Sequence, residues 1–158
     1  MEHLDQAIFA AGCFWGIEKA FLDIPGVIDA ESGYIGGRRE NPTYEQVCTG
    51  ATGHAEAVRV SFSPEQVSYE ALVHKFFIIH NPTELNRQGP DVGSQYRSAI
   101  FYLTPEQKEI AEKIVKELKT QYLPKTIVTE IAPAETFYRA EEYHQRYFEK
   151  HPEAVCHI

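Results

Sequence analysis

A cysteine stands at the point where a short apolar stretch gives way to a helical pattern. Residues 6–11 predict a strand, Gly12 breaks it, and Cys13 begins a stretch with apolar residues at helical spacing. Unpaired N–H groups and the positive dipole end of a helix N-terminus stabilise a thiolate, so they lower the pKa of a thiol placed there. Cys13 is therefore a candidate nucleophile, although most free cysteines are small buried hydrophobes.

The residues around Cys13 support this interpretation. Gly12 and Gly16 allow the backbone to approach closely on either side of the thiol, and Phe14 and Trp15 follow it directly. Two adjacent aromatic residues at a helix start cannot both face the core, so we expect one of them near the thiol. There it would bind a small apolar group such as a methyl. Ordinary core packing is the alternative explanation of the same pattern.

A carboxyl group falls on the apolar face of a predicted strand. Glu56 has the same parity as Val58, Val60 and Phe62 in an alternating stretch. Apolar surroundings disfavour a carboxylate and raise its pKa, so Glu56 could hold a proton near pH 7 and act as a general acid. A solvated strand end is the alternative. The pair His54-x-Glu56 also opens a zinc-deaminase signature, but the downstream Pro-Cys-x-x-Cys of that signature is missing.

Three tyrosines lie in or beside two long loops. The phenol groups of Tyr34, Tyr44 and Tyr96 can donate hydrogen bonds to a polar oxygen without bringing charge. Loops often carry functional residues, although a lone loop tyrosine more often packs against its neighbours or lies at the surface.

The three cysteines, Cys13, Cys48 and Cys156, are odd in number and include no C-x-x-C pair. They therefore predict neither a disulfide scaffold nor a structural zinc site, and they fit a reducing compartment. Cys156 is either incidental or a resolving thiol that attacks an oxidised Cys13. Cys48 is interpreted as buried and inert.

Composition excludes several classes of protein. The 158 residues are 43% hydrophobic and 24% charged, which is typical of a folded domain. A net charge of −8 argues against a partner rich in phosphates, whether nucleic acid or anionic membrane. No apolar run approaches the roughly 20 residues that cross a bilayer. Residues 1–6 also lack the pattern of a signal peptide, so we expect a cytoplasmic protein.

The predicted elements alternate in the order β-α-β-loop-β-α-loop-β-α-β-tail. Helices packed on one side of a mixed or mostly antiparallel sheet are the natural arrangement for this order. The predicted strands are 6–11, 27–34, 56–62, 98–103 and 126–131, and the predicted helices are 13–23, 63–80, the stretch after Thr104 and 140–150. Two of these helices begin at a capping-box signature, Ser63-Pro64-Glu65-Gln66 and Thr104-Pro105-Glu106-Gln107, so Ser63 and Thr104 are the predicted N-terminal caps.

Several ordered blocks, spread over most of the chain, resemble the signature of the peptide methionine sulfoxide reductase A family. They are Gly12-Cys13-Phe14-Trp15-Gly16, Asn41-Pro42-Thr43-Tyr44, Thr52-Gly53-His54-Ala55-Glu56, 85–89, 91–98 and 140–145. The resemblance implies an α/β (α+β) fold, a two-layer sandwich with a ferredoxin-like core, a mixed, mostly antiparallel sheet and long loops. It further implies one domain over 1–158, in which 132–158 form a wrapping tail that carries the resolving cysteine.

The resemblance also implies an activity, the reduction of methionine S-sulfoxide, free or in proteins, with thioredoxin as the reductant. We expect no metal or organic cofactor, no nucleic-acid or membrane partner, and a monomer. The implied roles are Cys13 as nucleophile, Glu56 as acid, Tyr44 and Tyr96 as ligands of the sulfoxide oxygen, Phe14 and Trp15 as the methyl pocket, Asp91 as support for the substrate or recycling, and Cys156 as resolving cysteine. Residues 153–155 lack the glycine that many relatives carry there, which predicts a less flexible approach of Cys156.

Two functions of other classes compete with this one. A non-catalytic reader of oxidised methionine, or a redox sensor, would use the same pocket without turnover. A Cys–His hydrolase would pair Cys13 with His54 and would form an acyl-enzyme.

Overall fold

The structure is a computed structural model that describes residues 3–153. Within this range the strands are β1 (Asp5–Ala11), β2 (Val27–Ile35), β3 (Ala55–Phe62), β4 (Arg87–Gln88), β5 (Asp91–Val92), β6 (Ser98–Tyr102), β7 (Glu130–Pro133) and β8 (Tyr138–Arg139). The helices are α1 (Phe14–Leu22), α2 (Tyr44–Cys48), α3 (Tyr69–Ile78), α4 (Pro105–Leu118) and α5 (Tyr147–Lys150), with 3₁₀ turns at Ser94–Tyr96, Lys119–Tyr122 and Glu142–His144.

The main sheet has the strand order β7-β6-β1-β3-β2-β8, and β4 pairs with β5 in a separate hairpin. Strands β6 and β7 are parallel, and the other neighbours in the main sheet are antiparallel. The elements β1-α1-β2-β3-α3-β6 place their strands in the order β6-β1-β3-β2, which is the ferredoxin-like arrangement. The mixed, mostly antiparallel sheet predicted from the sequence is confirmed.

Both faces of the central strands are buried, which explains why β1 is a continuous apolar stretch rather than an alternating one. Ala7, Phe9 and Ala11 of β1 point into the larger core, which also contains apolar residues of the helices. Ile8 and Ala10 belong to a second cluster on the other face, which is covered in part by Phe137. The helices therefore form one layer, and residues 132–137 cover part of the opposite face.

Two N-terminal caps of helices were predicted, and only one of them is confirmed. Thr104 caps α4, since its hydroxyl accepts from the backbone N–H of Gln107 at 3.1 Å. The predicted cap at Ser63 is wrong, because the backbone N–H of Ser63 donates to Gly26 and the chain makes only a turn there. Ser68 caps α3 instead, and its hydroxyl accepts from Ala71 at 3.0 Å.

Three further segments differ from the sequence-based prediction. The first long loop contains the short helix α2, which Thr43 and Gln46 cap reciprocally. The last predicted strand is shifted and runs as β7 beside β6. The predicted helix 140–150 is divided into a 3₁₀ turn and α5, and β8 precedes them. Among the helices of the described range, none is both long and apolar enough to cross a bilayer.

Phe9 lies at a position where a substitution should strongly destabilise the fold. Its ring is fully buried and stacks on Phe21 and Phe76, with centroids 4.9 Å and 5.3 Å away. Phe9→Ala should lower the free energy of unfolding by about 3–5 kcal/mol, measured by urea denaturation, because it leaves a cavity between these rings. The exposed Ile28, changed to Ala, is the control and should cost less than about 1 kcal/mol. Equal losses in the two variants would contradict the central place of Phe9.

Candidate active site

Cys13 is the residue that precedes the first turn of α1. The chain turns sharply after β1 at Gly12, where φ is +96° and an added Cβ would come within 2.9 Å of Gln88. A side chain at position 12 would therefore be strained and would also collide with its neighbour. This turn leaves Cys13 half-buried at the start of the helix.

The thiol of Cys13 is not ionised by its position at the helix start. Burial first, and then the nearby carboxyl groups of Glu56 and Asp91, raise its pKa to about 12. Hydrogen bonds from the backbone amides of Trp15 and Gly16 act in the opposite direction but do not compensate. The sequence-based expectation of a lowered thiol pKa is therefore wrong, because burial and neighbouring carboxyl groups outweigh the helix terminus.

Glu56 lies beside Cys13 on the helix-facing side of β3. Only 1% of the residue is exposed, and the backbone N–H of Phe14 donates to its Oε1 at 3.3 Å. Burial is the main cause that raises its pKa, to about 8, and Asp91 contributes in the same direction. The expectation of a raised carboxyl pKa on an apolar strand face is confirmed. Oε2 is buried and has no hydrogen-bond partner among residues 3–153.

Two phenol groups lie near this carboxyl group. Tyr44 begins α2, and its backbone N–H donates to Glu141 at 3.0 Å. Tyr96 closes the 3₁₀ turn that follows β5. Burial first, and then the charge of Glu56, raise the pKa of both tyrosines, so both remain neutral hydrogen-bond donors at physiological pH.

Tyr34 supports the site from outside, whereas Asp91 acts on it through its charge. Tyr34 is fully buried opposite Glu56, and its hydroxyl donates to Glu141 at 2.8 Å, so it supports the chain around Tyr44. Asp91 lies in β5, close enough to influence the ionisation of both Cys13 and Glu56. The structure therefore brings together at one place the proposed nucleophile, the proposed acid, two phenols and a second carboxyl group.

Aromatic rings form one side of the site. Phe14 is buried, and Trp15 is half-buried beside it. The indole N–H of Trp15 donates to His144 Nδ1 at 2.9 Å, and its ring stacks on Tyr147 at 3.8 Å between centroids. His144 also lies 4.3 Å from the ring of Tyr44.

Three further residues contribute to this site, Glu141, His144 and Tyr147, and none of them was predicted individually from the sequence. All three belong to the tail, and the hydrogen bond from Trp15 to His144 spans 129 positions of sequence. The abundance of Tyr, Glu and His in the tail was the available signal.

His54 is a structural residue rather than a base. It is buried, its Nδ1 accepts from the backbone N–H of Gly37 at 3.0 Å, and its Nε2 lies 2.7 Å from the carbonyl oxygen of Arg39. Both ring nitrogens are therefore used to hold the loop before α2, and the hydrolase hypothesis has no free base at this position.

The structure describes only one of the two other cysteines. Cys48 was predicted to be buried, and this is wrong, because it lies exposed at the end of α2, where its thiol hydrogen-bonds with the hydroxyl of Tyr44. The short helix places Cys48 one turn after Tyr44 and so at the edge of the site. Cys156 lies outside the described residues.

Comparisons with known proteins agree in placing this chain near one group of enzymes. Residues 5–158 match a sequence profile described as peptide methionine sulfoxide reductase. The peptide methionine sulfoxide reductase MsrA of Acidobacterium capsulatum is 53% identical over 154 residues, covering 97% of this chain and 99% of that protein.

Two solved structures from Saccharomyces cerevisiae are also similar. Mxr1 in its reduced form has a TM-score of 0.89 at 36% identity, covering 97% of this chain and 88% of that one. Mxr1 in complex with Trx2 has a TM-score of 0.63 at 28% identity, covering 91% and 84%.

The electrostatic influence of Glu56 on Cys13 can be measured directly. In a Cys48→Ser, Cys156→Ser background, the rate of iodoacetamide alkylation against pH reports the pKa of the remaining thiol. Glu56→Gln should lower that pKa, because it removes a negative charge near the sulfur. Asp91→Asn is the matched control and should lower it less, since Asp91 contributes less than Glu56. A thiol pKa that is unchanged in Glu56→Gln would contradict the proximity of the two groups.

Proposed function

Because this chain belongs to the peptide methionine sulfoxide reductase A family, we propose that Cys13 and Glu56 perform its first chemical step. The protein is an oxidoreductase that reduces methionine sulfoxide by thiol chemistry. The observation that carries the assignment is a buried carboxyl group, protonated near neutral pH, beside a half-buried thiol at a helix start.

The first step transfers oxygen from substrate to enzyme. The sulfur of Cys13 attacks the sulfoxide sulfur and forms a sulfur–sulfur bond while the sulfoxide oxygen is protonated. The resulting hydroxyl then passes to the sulfur of Cys13, the sulfur–oxygen and sulfur–sulfur bonds to the substrate break, and methionine leaves. Cys13 loses two electrons and becomes a sulfenic acid, while the substrate sulfur gains two. Glu56 gives its proton to the sulfoxide oxygen and recovers the thiol proton, so no net proton is consumed. A thiol that is protonated at rest fits this relay, because it supplies the proton that returns to Glu56.

The groups around this pair would hold the substrate. The neutral hydroxyls of Tyr44 and Tyr96 donate to the sulfoxide oxygen, which becomes more basic as the sulfur–oxygen bond weakens. Phe14 and Trp15 form the apolar wall that accepts the methyl group of the S-sulfoxide. Asp91 keeps the proton on Glu56 through its negative charge, and in this way it supports the first step.

Recycling would require a second thiol and an external reductant. The thiol of Cys156 attacks the sulfenic acid of Cys13, a disulfide forms, and water leaves. Thioredoxin supplies the two electrons that reopen the disulfide, in agreement with the similarity to a structure of Mxr1 in complex with Trx2. We further propose that residues 1–158 form one domain with a wrapping tail over 132–158, and that the protein works as a monomer, since every group in this scheme comes from one chain. A cycle that depends on free thiols fits a reducing compartment, so we also propose a cytoplasmic location.

Mass spectrometry after addition of one equivalent of methionine sulfoxide, without reductant, tests the assignment of the thiols. Wild type should release one methionine per enzyme and carry a Cys13–Cys156 disulfide. Cys13→Ser should release none, because the nucleophile is missing. Cys156→Ser should release one methionine, stop at the sulfenic acid and lose turnover with thioredoxin. Cys48→Ser is the matched control and should behave as wild type.

Two results would overturn these assignments. Methionine release by Cys13→Ser would exclude Cys13 as nucleophile, and full thioredoxin turnover in Cys156→Ser would assign recycling to another thiol. A folded wild-type protein that binds the sulfoxide but forms no methionine would instead support the reader or sensor hypothesis.

The pH dependence of the first step tests the role of Glu56. Since burial raises the pKa of Glu56 to about 8, its proton is present below that pH and is lost above it. The single-turnover rate of wild type should therefore fall as pH rises through about 8. Glu56→Gln should be about 10²- to 10⁴-fold slower at pH 7 and should lack this decline. A decline that persists in Glu56→Gln would mean that another group supplies the proton.

A further inference from the structure

A second buried carboxyl group lies on the helix that begins at Cys13, and the proposed first step does not use it. Glu18 is in the middle of α1 and is 1% exposed. Its Oε2 accepts from the hydroxyl of Ser32 on β2 at 3.2 Å. The backbone amides of Arg146 and Tyr147, where α5 begins, hydrogen-bond to the same carboxyl group. Glu18 therefore connects α1 and β2 to the tail.

Further contacts hold this part of the tail at the same place. The side-chain amide of Gln145 pairs with both backbone polar groups of Ser32, at 2.9 Å each. Strand β8 pairs with β2 just before it, and Trp15 stacks on Tyr147 just after it. Glu18 differs from these contacts because it is an ionisable group, and burial of a carboxylate is costly.

The part of the tail that Glu18 contacts lies close in sequence to Cys156, the proposed resolving cysteine. Cys156 follows Lys150, the last residue of α5, by six residues, a length of chain that spans at most about 20 Å. The position of α5 therefore determines whether Cys156 can reach the sulfur of Cys13. Glu18 lies on the helix that begins at Cys13, and it holds the start of α5 in place.

We propose that Glu18 is a positioning residue for the recycling step, holding the start of α5 against α1 so that Cys156 can meet the oxidised Cys13. This inference rests on the proposed role of Cys156. It assigns no contact between Glu18 and the substrate, so the first step should proceed without it.

The protonation state of Glu18 should affect how tightly the start of α5 is held against α1. The charged groups packed around it are Arg146, which precedes α5, Glu149 of α5, and Asp29 of β2, which pairs with Arg146. Lys19 of α1 and Asp23, which follows α1, lie there as well. Burial outweighs the amides and Arg146 and raises the pKa of Glu18 to about 7.

The direction of the pH effect follows from this raised pKa. A docked tail favours the protonated carboxyl group, whereas a released tail would return Glu18 to water and to its ordinary pKa. Docking should therefore tighten as pH falls through 7, by about tenfold between pH 8 and pH 6.

Rapid-quench kinetics separate the two half-reactions. In Glu18→Ala at saturating methionine sulfoxide, the rate of methionine release in a single turnover should equal that of wild type. A misplaced tail weakens the contact of Tyr147 with Trp15 and so affects substrate binding, which saturation offsets. Formation of the Cys13–Cys156 disulfide should slow by about tenfold or more, because the tail is misplaced. Glu18→Gln, which keeps an acceptor oxygen, should restore disulfide formation to near the wild-type rate. Glu149→Gln removes an exposed carboxylate that pairs with Arg146 in the same helix, and as the control it should leave both rates unchanged.

The single tryptophan offers a second measurement on the reduced enzyme. Trp15 stacks on Tyr147, so its fluorescence should change with tail docking and show a transition near pH 7 in wild type. Effects of the neighbouring His144 are common to wild type and Glu18→Gln, so the difference between their titration curves should contain the transition that belongs to Glu18.

Three results would be decisive. Disulfide formation in Glu18→Ala at the wild-type rate would overturn the inference, and so would fluorescence titration curves that are identical in wild type and Glu18→Gln. A wild-type enzyme that forms no Cys13–Cys156 disulfide would overturn the proposed role of Cys156 itself, so the two failures can be distinguished.

Discussion

The burial of one carboxyl group against a thiol is the constraint on which the rest of the site depends. Glu56 lies on a strand face with apolar neighbours, and the loss of water keeps its proton at neutral pH. The same burial keeps Cys13 protonated at rest, so the pair holds two protons and little charge. Such a pair is well matched to a sulfoxide, whose oxygen must be protonated before it can leave sulfur. In the proposed reaction a negative charge arises on Glu56 only as its proton moves to the sulfoxide oxygen, and the thiol proton of Cys13 then neutralises it.

The fold places this pair by joining elements that are distant in sequence. The antiparallel pairing of β1 with β3 sets the start of α1 beside Glu56, and the backbone of Phe14 bonds that carboxyl group directly. The tail then crosses β2 and α1 and supplies His144 and Tyr147 to the aromatic wall. The same tail leads to Cys156, so the segment that completes the aromatic wall also carries the proposed resolving thiol. In the proposed mechanism, this one segment of chain therefore contributes to both substrate binding and recycling.

Local pattern was enough to predict part of this arrangement. Strand parity placed Glu56 on the apolar face, and the Thr104 cap located the start of α4, because both depend on neighbours in sequence. The similar signal at Ser63 failed, since its backbone is bound by Gly26 across the fold. The ionisation of Cys13 was wrongly predicted for a related reason: the helix terminus is visible in sequence, whereas burial and the approach of Glu56 are tertiary effects. The exposure of Cys48 likewise depends on α2, a five-residue helix inside a loop whose pattern was too short to recognise.

The proton on Glu56 can be observed directly by isotope-edited infrared spectroscopy. Comparison of wild type with Glu56→Gln, both labelled at glutamate carboxyl carbons, isolates the band of this one group from those of Glu18 and the surface carboxylates. The proposed mechanism predicts a protonated-carboxyl band that persists at pH 7 and disappears as pH rises through about 8. A difference spectrum that shows only an ionised carboxylate at pH 6 would contradict the mechanism, because no proton would then be available to the sulfoxide oxygen.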